Sequence, residues 1–197
     1  MRKIVLSLCL ISLVSLVGES ATVARKSGTY AVFDTSMGTF KCELYDSKAP
    51  ITVKNFVDLA EGKKEWITEK GDTMTNKPFY NGLLFYRIIK GFMIQSGSLN
   101  RAGNFPAIVP FQDEINASLI FDKPGLLAMA NSGANTNRTQ FFVTVAPQPH
   151  LNGKHTIFGR VVEGMDVVQK INEVPTIGDR PKTDVVLNKV TIERVTK

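Results

Sequence analysis

The sequence predicts a mainly β protein, a closed antiparallel barrel with two helices. Three observations lead there. Short stretches of alternating apolar and polar residues recur along the chain. Only two stretches carry a helical spacing of apolar residues. No internal repeat, low-complexity run or linker divides the chain, so the strands belong to one domain. Many short strands with few helices close most readily into a barrel.

The elements follow in order. Tyr30 to Thr35 alternates, Ser36-Met37-Gly38 supplies a turn, and Phe40, Cys42 and Leu44 alternate again, which predicts a hairpin. Pro50 suits a first helical turn; Val53, Phe56, Val57 and Ala60 share a face, and Gly62 suits a stop. Further strands are predicted over Leu84 to Ile89, Phe92 to Gly97, Leu126 to Ala130, Phe141 to Val145, Thr156 to Val162 and Val185 to Arg194. A second helix runs from Met165 to Ile171, with Val167, Val168 and Ile171 apolar.

The bulk properties set bounds. The chain has 197 residues, enough for one domain plus a short appendage. At 43% hydrophobic and 21% charged residues it is an ordinary globular chain rather than a disordered one. The net charge of +6 is scattered, without a basic run or a nucleic-acid motif, so no nucleic-acid partner is expected. Arg2 and Lys3 precede an apolar stretch from Ile4 to Val17, and Gly18, Glu19, Ser20 and Ala21 break it. That is the pattern of a secretory signal peptide over residues 1–24, with a domain over 25–197. Cleavage after Ser20 and cleavage after Ala24 both place small residues correctly. The apolar stretch is shorter than the roughly 20 residues of a membrane span, although an uncleaved anchor is the competing reading. An exported protein follows, periplasmic or extracellular, with no stable membrane span once the signal is removed. Of the two cysteines, Cys9 lies in the signal, so Cys42 remains as a single inward-facing thiol without an intramolecular partner.

The chemistry gathers in the middle of the chain. Phe85 to Gly97 places Arg87 on an otherwise apolar strand, where alternation puts Phe85, Arg87 and Ile89 on one face. Such an arginine is either a paired structural residue or the wall of a cleft. Met129-Ala130-Asn131-Ser132-Gly133, Thr139-Gln140-Phe141-Phe142 and Leu151-Asn152-Gly153-Lys154-His155 follow. This order of blocks resembles the cyclophilin family of peptidyl-prolyl cis–trans isomerases over nearly the whole mature chain, and looks closest to its bacterial exported branch.

The resemblance implies an eight-stranded antiparallel barrel capped by two helices, with the active groove on its outer face. It assigns Arg87 as the catalytic arginine, and Phe92, Met93, Phe142, Leu151 and His155 to a proline pocket. Gln95, Asn131 and Gln140, with Ala130 beside them, become the residues that hold the substrate backbone. The implied partner is a proline-containing segment of a folding protein. No cofactor or metal is needed, and the two histidines, His150 and His155, form no zinc-ligand constellation.

Departures from the family pattern carry their own expectations. His150 stands where many cyclophilins have a tryptophan that helps bind cyclosporin, so weak binding of that drug is expected. Residues 62–77 form an insertion around Trp66, read as a surface loop with a helical turn, the tryptophan covering the barrel or meeting a partner. Ser98 to Pro110 replaces the usual glycine-rich stretch. Sequons occur at Asn116 and Asn137; a glycan on the latter would obstruct Gln140. Three functions compete: an isomerase assisting the folding of exported proteins, a non-catalytic binder or holdase for proline segments, and a lectin-like or structural barrel. Retention of Arg87 together with the whole pocket favours the first. A monomer is the default.

Overall fold

The computed structural model describes residues 26–103 and 108–196. The segment predicted as a signal peptide, Cys9 within it, and the part of Ser98 to Pro110 that contains Pro106 lie outside the described residues.

The chain opens with the hairpin β1 (Gly28–Thr35) and β2 (Gly38–Leu44), in which Thr35 pairs with Gly38 across Ser36-Met37. The Thr35 hydroxyl donates to the Gly38 carbonyl at 2.6 Å and accepts from the Met37 N–H at 3.1 Å, closing the turn. Helix α1 (Pro50–Ala60) follows. Its N-terminal neighbour, Ala49, has no side chain to cap it. The Glu114 carboxylate does so instead, accepting from Ile51 N–H at 3.0 Å and Thr52 N–H at 2.7 Å. The helix ends before Gly62, whose φ of +73° is comfortable only for glycine.

Next come β3 (Trp66–Ile67), β4 (Thr73–Met74), β5 (Leu83–Leu84), β6 (Arg87–Ile89) and β7 (Met93–Ser96). They are followed by β8 (Leu126–Met129), β9 (Phe141–Thr144) and β10 (Ile157–Glu163). Helix α2 (Met165–Asn172), the small hairpin β11 (Thr176–Ile177) and β12 (Arg180–Pro181), and β13 (Val186–Val195) complete the chain. The main sheet is antiparallel and runs β5-β13-β1-β2-β10-β8-β9-β7-β6.

The strand count departs from the expected closed eight. Among the described residues the main sheet has nine strands, because the predicted strand Leu84 to Ile89 is broken at Phe85-Tyr86. Its first half pairs with β13 and its second half with β7. The two ends of the sheet are thus consecutive pieces of one segment, and the barrel is completed by chain continuity rather than by a ladder. The Ser96 hydroxyl helps at the seam, donating to the Leu84 carbonyl at 2.9 Å. The break also corrects the predicted facing of this strand. Phe85 and Ile88 enter the core, whereas Arg87 and Ile89 face outward, so Phe85 and Arg87 do not share a face.

The interior is rich in aromatic rings. Phe33 and Phe40 stack with centroids 4.6 Å apart. Phe56 of α1 reaches in against Phe33, Tyr80, Phe141 and Phe158, which ties the helix to several strands at once. Helix α2 buries Val167, Val168 and Ile171 against β2, β6 and β7. Cys42 is fully buried between the inward Phe40 and Leu44, and burial pushes its thiol pKa up, which makes it a poor nucleophile. The insertion forms no helical turn: β3 and β4 make a short hairpin with Trp66 buried at its base. The indole meets Phe79 edge-on at 5.2 Å and donates to the Lys77 carbonyl at 3.0 Å, so it covers the barrel. Among the described residues no helix is long and apolar enough to cross a membrane.

Candidate functional site

A second apolar cluster lies on the outside of the same strands. Strand alternation sends Ile94, Leu127, Phe141 and Phe158 inward and Gln95, Ala128, Phe142 and Ile157 outward. Register then aligns four outward residues across neighbouring strands. Arg87 pairs with Gln95, Gln95 with Phe142, and Phe142 with Ala128. A row that runs from guanidinium to amide to aromatic ring is therefore a product of ladder register, not of sequence proximity.

Loops raise walls on both sides of this row. The β6–β7 turn presents Phe92, and the Asn172 side chain of α2 fastens that turn. Its amide accepts from Gly91 N–H at 2.9 Å and donates to the Ile89 carbonyl at 2.9 Å. On the other side, a single 3-10 turn over Pro149–Leu151 brings in Leu151, and the following loop brings His155. The result is a depression of about 210 Å³ lined by Arg87, Phe92, Met93, Gln95, Ala130, Asn131, Phe142, Leu151 and His155. That is smaller than the roughly 300 Å³ at which pockets for drug-sized ligands begin, and suits one ring or side chain.

Nine of the ten residues singled out in the sequence line this one depression. Gln140, the tenth, stands just behind it. Its Oε1 accepts from the Tyr86 hydroxyl at 2.6 Å and from Gln95 Nε2 at 3.0 Å, and its Nε2 donates to the Gly103 carbonyl at 2.8 Å. Gln95 Nε2 also donates to the Tyr86 oxygen at 2.6 Å. Gln140 thus orients Gln95 more directly than it borders the depression. Burial pushes the Tyr86 phenol up to about 12, so it stays neutral within this network.

The polar groups are held at defined edges. Arg87 Nε donates to Asp179 Oδ2 at 3.0 Å, and Nη1 donates to Gln95 Oε1 at 3.2 Å. The Asn131 amide donates to the Lys154 carbonyl at 2.8 Å, which ties two loops together. The Asn131 side chain is spent on structure, and its backbone N–H and carbonyl find no partner among the described residues. His155 Nδ1 lies 2.9 Å from the Met129 carbonyl, so Nδ1 carries a proton and donates it there. Burial holds the His155 pKa below the usual histidine value, with the Met129 carbonyl pulling the other way. Its ring meets Phe142 edge-on at 5.4 Å.

Several supporting residues were not anticipated. Phe121 stacks on Phe142 at 6.0 Å, and its backbone is pinned by Asn152 Oδ1 and by Gln148 N–H. Tyr86, Asn172 and Asp179 complete the frame. The Ile-Gly-Asp-Arg-Pro stretch around Asp179 reads as a turn, but nothing in it names a partner 92 positions away. His150 is exposed, its ring 5.6 Å from that of Phe92, at the rim of the depression. Asn137 of the second sequon is buried, its amide donating to Asp113 and the Phe111 carbonyl, so the folded chain does not offer it for glycosylation.

Known proteins share both the sequence and this shape. The profile of the cyclophilin type peptidyl-prolyl cis-trans isomerase/CLD family matches residues 30–195. Peptidyl-prolyl cis-trans isomerase A of Mycobacterium tuberculosis is 44% identical, covering 88% of this chain and 97% of its own. Peptidyl-prolyl cis-trans isomerase-like 1 of Aspergillus oryzae is 47% identical over 80% of this chain and 91% of its own. The crystal structure of a Cryptosporidium parvum cyclophilin type isomerase superimposes with a TM-score of 0.74 at 28% identity, covering 85% of this chain and 99% of that one. A second structure of the Cryptosporidium parvum protein was solved in the presence of the dipeptide Ala-Pro. With profile, relatives and fold in agreement over the same residues, this chain belongs to the cyclophilin-type peptidyl-prolyl cis–trans isomerase family.

Proposed function

We infer that the chain is a peptidyl-prolyl cis–trans isomerase, and that the depression around Arg87 and Phe142 is where it works. The observation that carries this reading is one arginine guanidinium on the wall of a ring-sized depression that also presents Phe92, Met93, Phe142 and Leu151. A peptide bond is held planar by resonance behind a barrier of about 18–20 kcal/mol. Before proline, cis and trans are close in energy yet exchange over tens to hundreds of seconds. Rotation breaks no covalent bond, so the enzyme need only favour the twisted state.

The residues divide that work. Phe92, Met93, Phe142 and Leu151 fix the proline ring by burial. The open backbone groups of Asn131 suit an extended substrate segment, to which they donate and accept as a strand would. Twisting removes resonance and leaves the prolyl nitrogen more basic. Arg87 can then donate to that nitrogen or hold the adjacent carbonyl, an interaction stronger in the twisted state than in either planar one. A millionfold acceleration corresponds to about 8 kcal/mol, within reach of several such contacts together.

The decisive test is the cis-to-trans rate of a short Xaa-Pro peptide with wild-type protein and with Arg87→Ala. A strong acceleration that falls by about a hundredfold in the variant is expected. No acceleration by folded wild-type protein would leave a non-catalytic proline-segment binder or holdase as the function.

The proposed setting is export. The charged start and apolar stretch before residue 25 support a signal peptide, and with it a periplasmic or secreted folding assistant. Its clients would be exported chains limited by prolyl isomerisation. Weak cyclosporin binding is also proposed, because His150 offers less apolar area beside Phe92 than an indole. His150→Trp should lower the inhibition constant at least tenfold while leaving peptide turnover within about twofold.

A further inference from the structure

Arg87 sits at the surface, its side chain 42% exposed, on a strand of three residues. A long side chain there has many rotamers open to it and would wander unless held. It is held at two separate edges. Gln95 takes Nη1, and Gln95 is itself locked by Tyr86 and Gln140. The other edge, Nε, goes to Asp179.

Asp179 is not part of the depression, and it comes from a different element. Ile177 pairs with Arg180, so Gly178-Asp179 is the two-residue loop of the β11–β12 hairpin, with glycine first at φ +59°. This loop is stitched to the strand that carries the arginine: Ile88 N–H donates to the Asp179 carbonyl at 2.7 Å. The hairpin base is closed by Lys182 N–H on the Pro175 carbonyl at 2.8 Å. One residue therefore grips β6 with its main chain and the guanidinium with its carboxylate. Two fixed acceptors on two edges define the guanidinium plane and leave its remaining N–H groups for the groove.

We propose that Asp179 is a positioning residue for isomerisation, acting through Arg87 by fixing the plane of its guanidinium from the β11–β12 loop. The inference rests on the isomerase reading above. An exposed ion pair adds little to stability, so removing the carboxylate should leave the fold intact. The effect belongs in turnover, where small misplacements of a reacting group are costly.

The test is a cycle of Asp179→Ala, Asp179→Asn, Arg87→Ala and the Arg87→Ala/Asp179→Ala double variant, read on an Ala-Pro peptide by NMR exchange. Asp179→Ala should lower kcat about tenfold with KM within twofold and an unchanged melting temperature. Asp179→Asn keeps an acceptor at the same reach and should recover most of the loss. In the Arg87→Ala background, Asp179→Ala should change nothing further, because the residue acts only through the arginine. Wild-type turnover in Asp179→Ala, or an equal loss added on top of Arg87→Ala, would overturn the inference while leaving the isomerase reading intact. Wild-type turnover in Arg87→Ala would overturn both.

Discussion

Phe141 and Phe142 are adjacent in one strand and nearly equally buried, at 0% and 4% exposure, yet they belong to different parts of the molecule. Phe141 points inward, with Phe33, Phe56, Tyr80 and Phe85 within 6.4 Å of its ring centre. Phe142 points outward, stacked on Phe121 and perpendicular to the His155 ring. The interior surrounds its ring with rings. Around the groove ring stand apolar groups and polar ones together: Gln95, which holds Arg87, and His155. Degree of burial does not separate core from site here. What separates them is whether the neighbours leave room and polar groups for a guest.

That contrast can be broken from either side. The largest expected effect is in the interior. Phe141→Ala should destabilise the fold by about 3–5 kcal/mol, seen as a lower urea midpoint, and activity should be lost only as folding is lost. Phe142→Leu nearly conserves apolar character, so its stability should fall by less than about 1.5 kcal/mol. Its kcat/KM should nevertheless drop about tenfold, because the proline ring loses its flat support. Equal stability losses from the two changes, or full turnover in Phe142→Leu, would erase the distinction.

The smallest expected effect is a pH slope. Burial holds the folded His155 pKa below its unfolded value of about 6.5. The unfolded chain then takes up the proton first as pH falls. Stability should be full above about pH 6.5 and decline as pH drops through the folded-state value. His155→Gln should flatten the slope of urea stability against pH over that window. A slope that survives the substitution would place its origin elsewhere.

The two regions were not equally legible. Interior strands follow from alternation, and β1, β2, β8, β9, β10 and β13 lie within a residue or two of where the pattern puts them. The strand carrying Arg87 departs from its predicted pattern at one point. Alternation assumes an unbroken pleat, and the interruption at Phe85-Tyr86 moves Phe85 inside while Arg87 faces out. The sequence predicts a loop with a helical turn for the insertion, where the structure has a short hairpin. Two-residue strands such as β3 and β4 are too short to show a period, and Trp66 supplies the anchoring that propensity does not.

Sequence alone determined the mainly β class, both helices and the family-matched set of groove residues. Each is written in local patterns: a period of two, a period of three to four, or a block of consecutive side chains. Only the tertiary structure decided how those residues are held. Glu114 caps α1, Asn172 fastens the Phe92 turn, Tyr86 and Gln140 orient Gln95, and Asp179 orients Arg87. These contacts join groups far apart in the chain through hydrogen bonds a few ångströms long. No local pattern encodes which distant donor meets which acceptor, because ladder register and loop closure set those distances only after the barrel has formed.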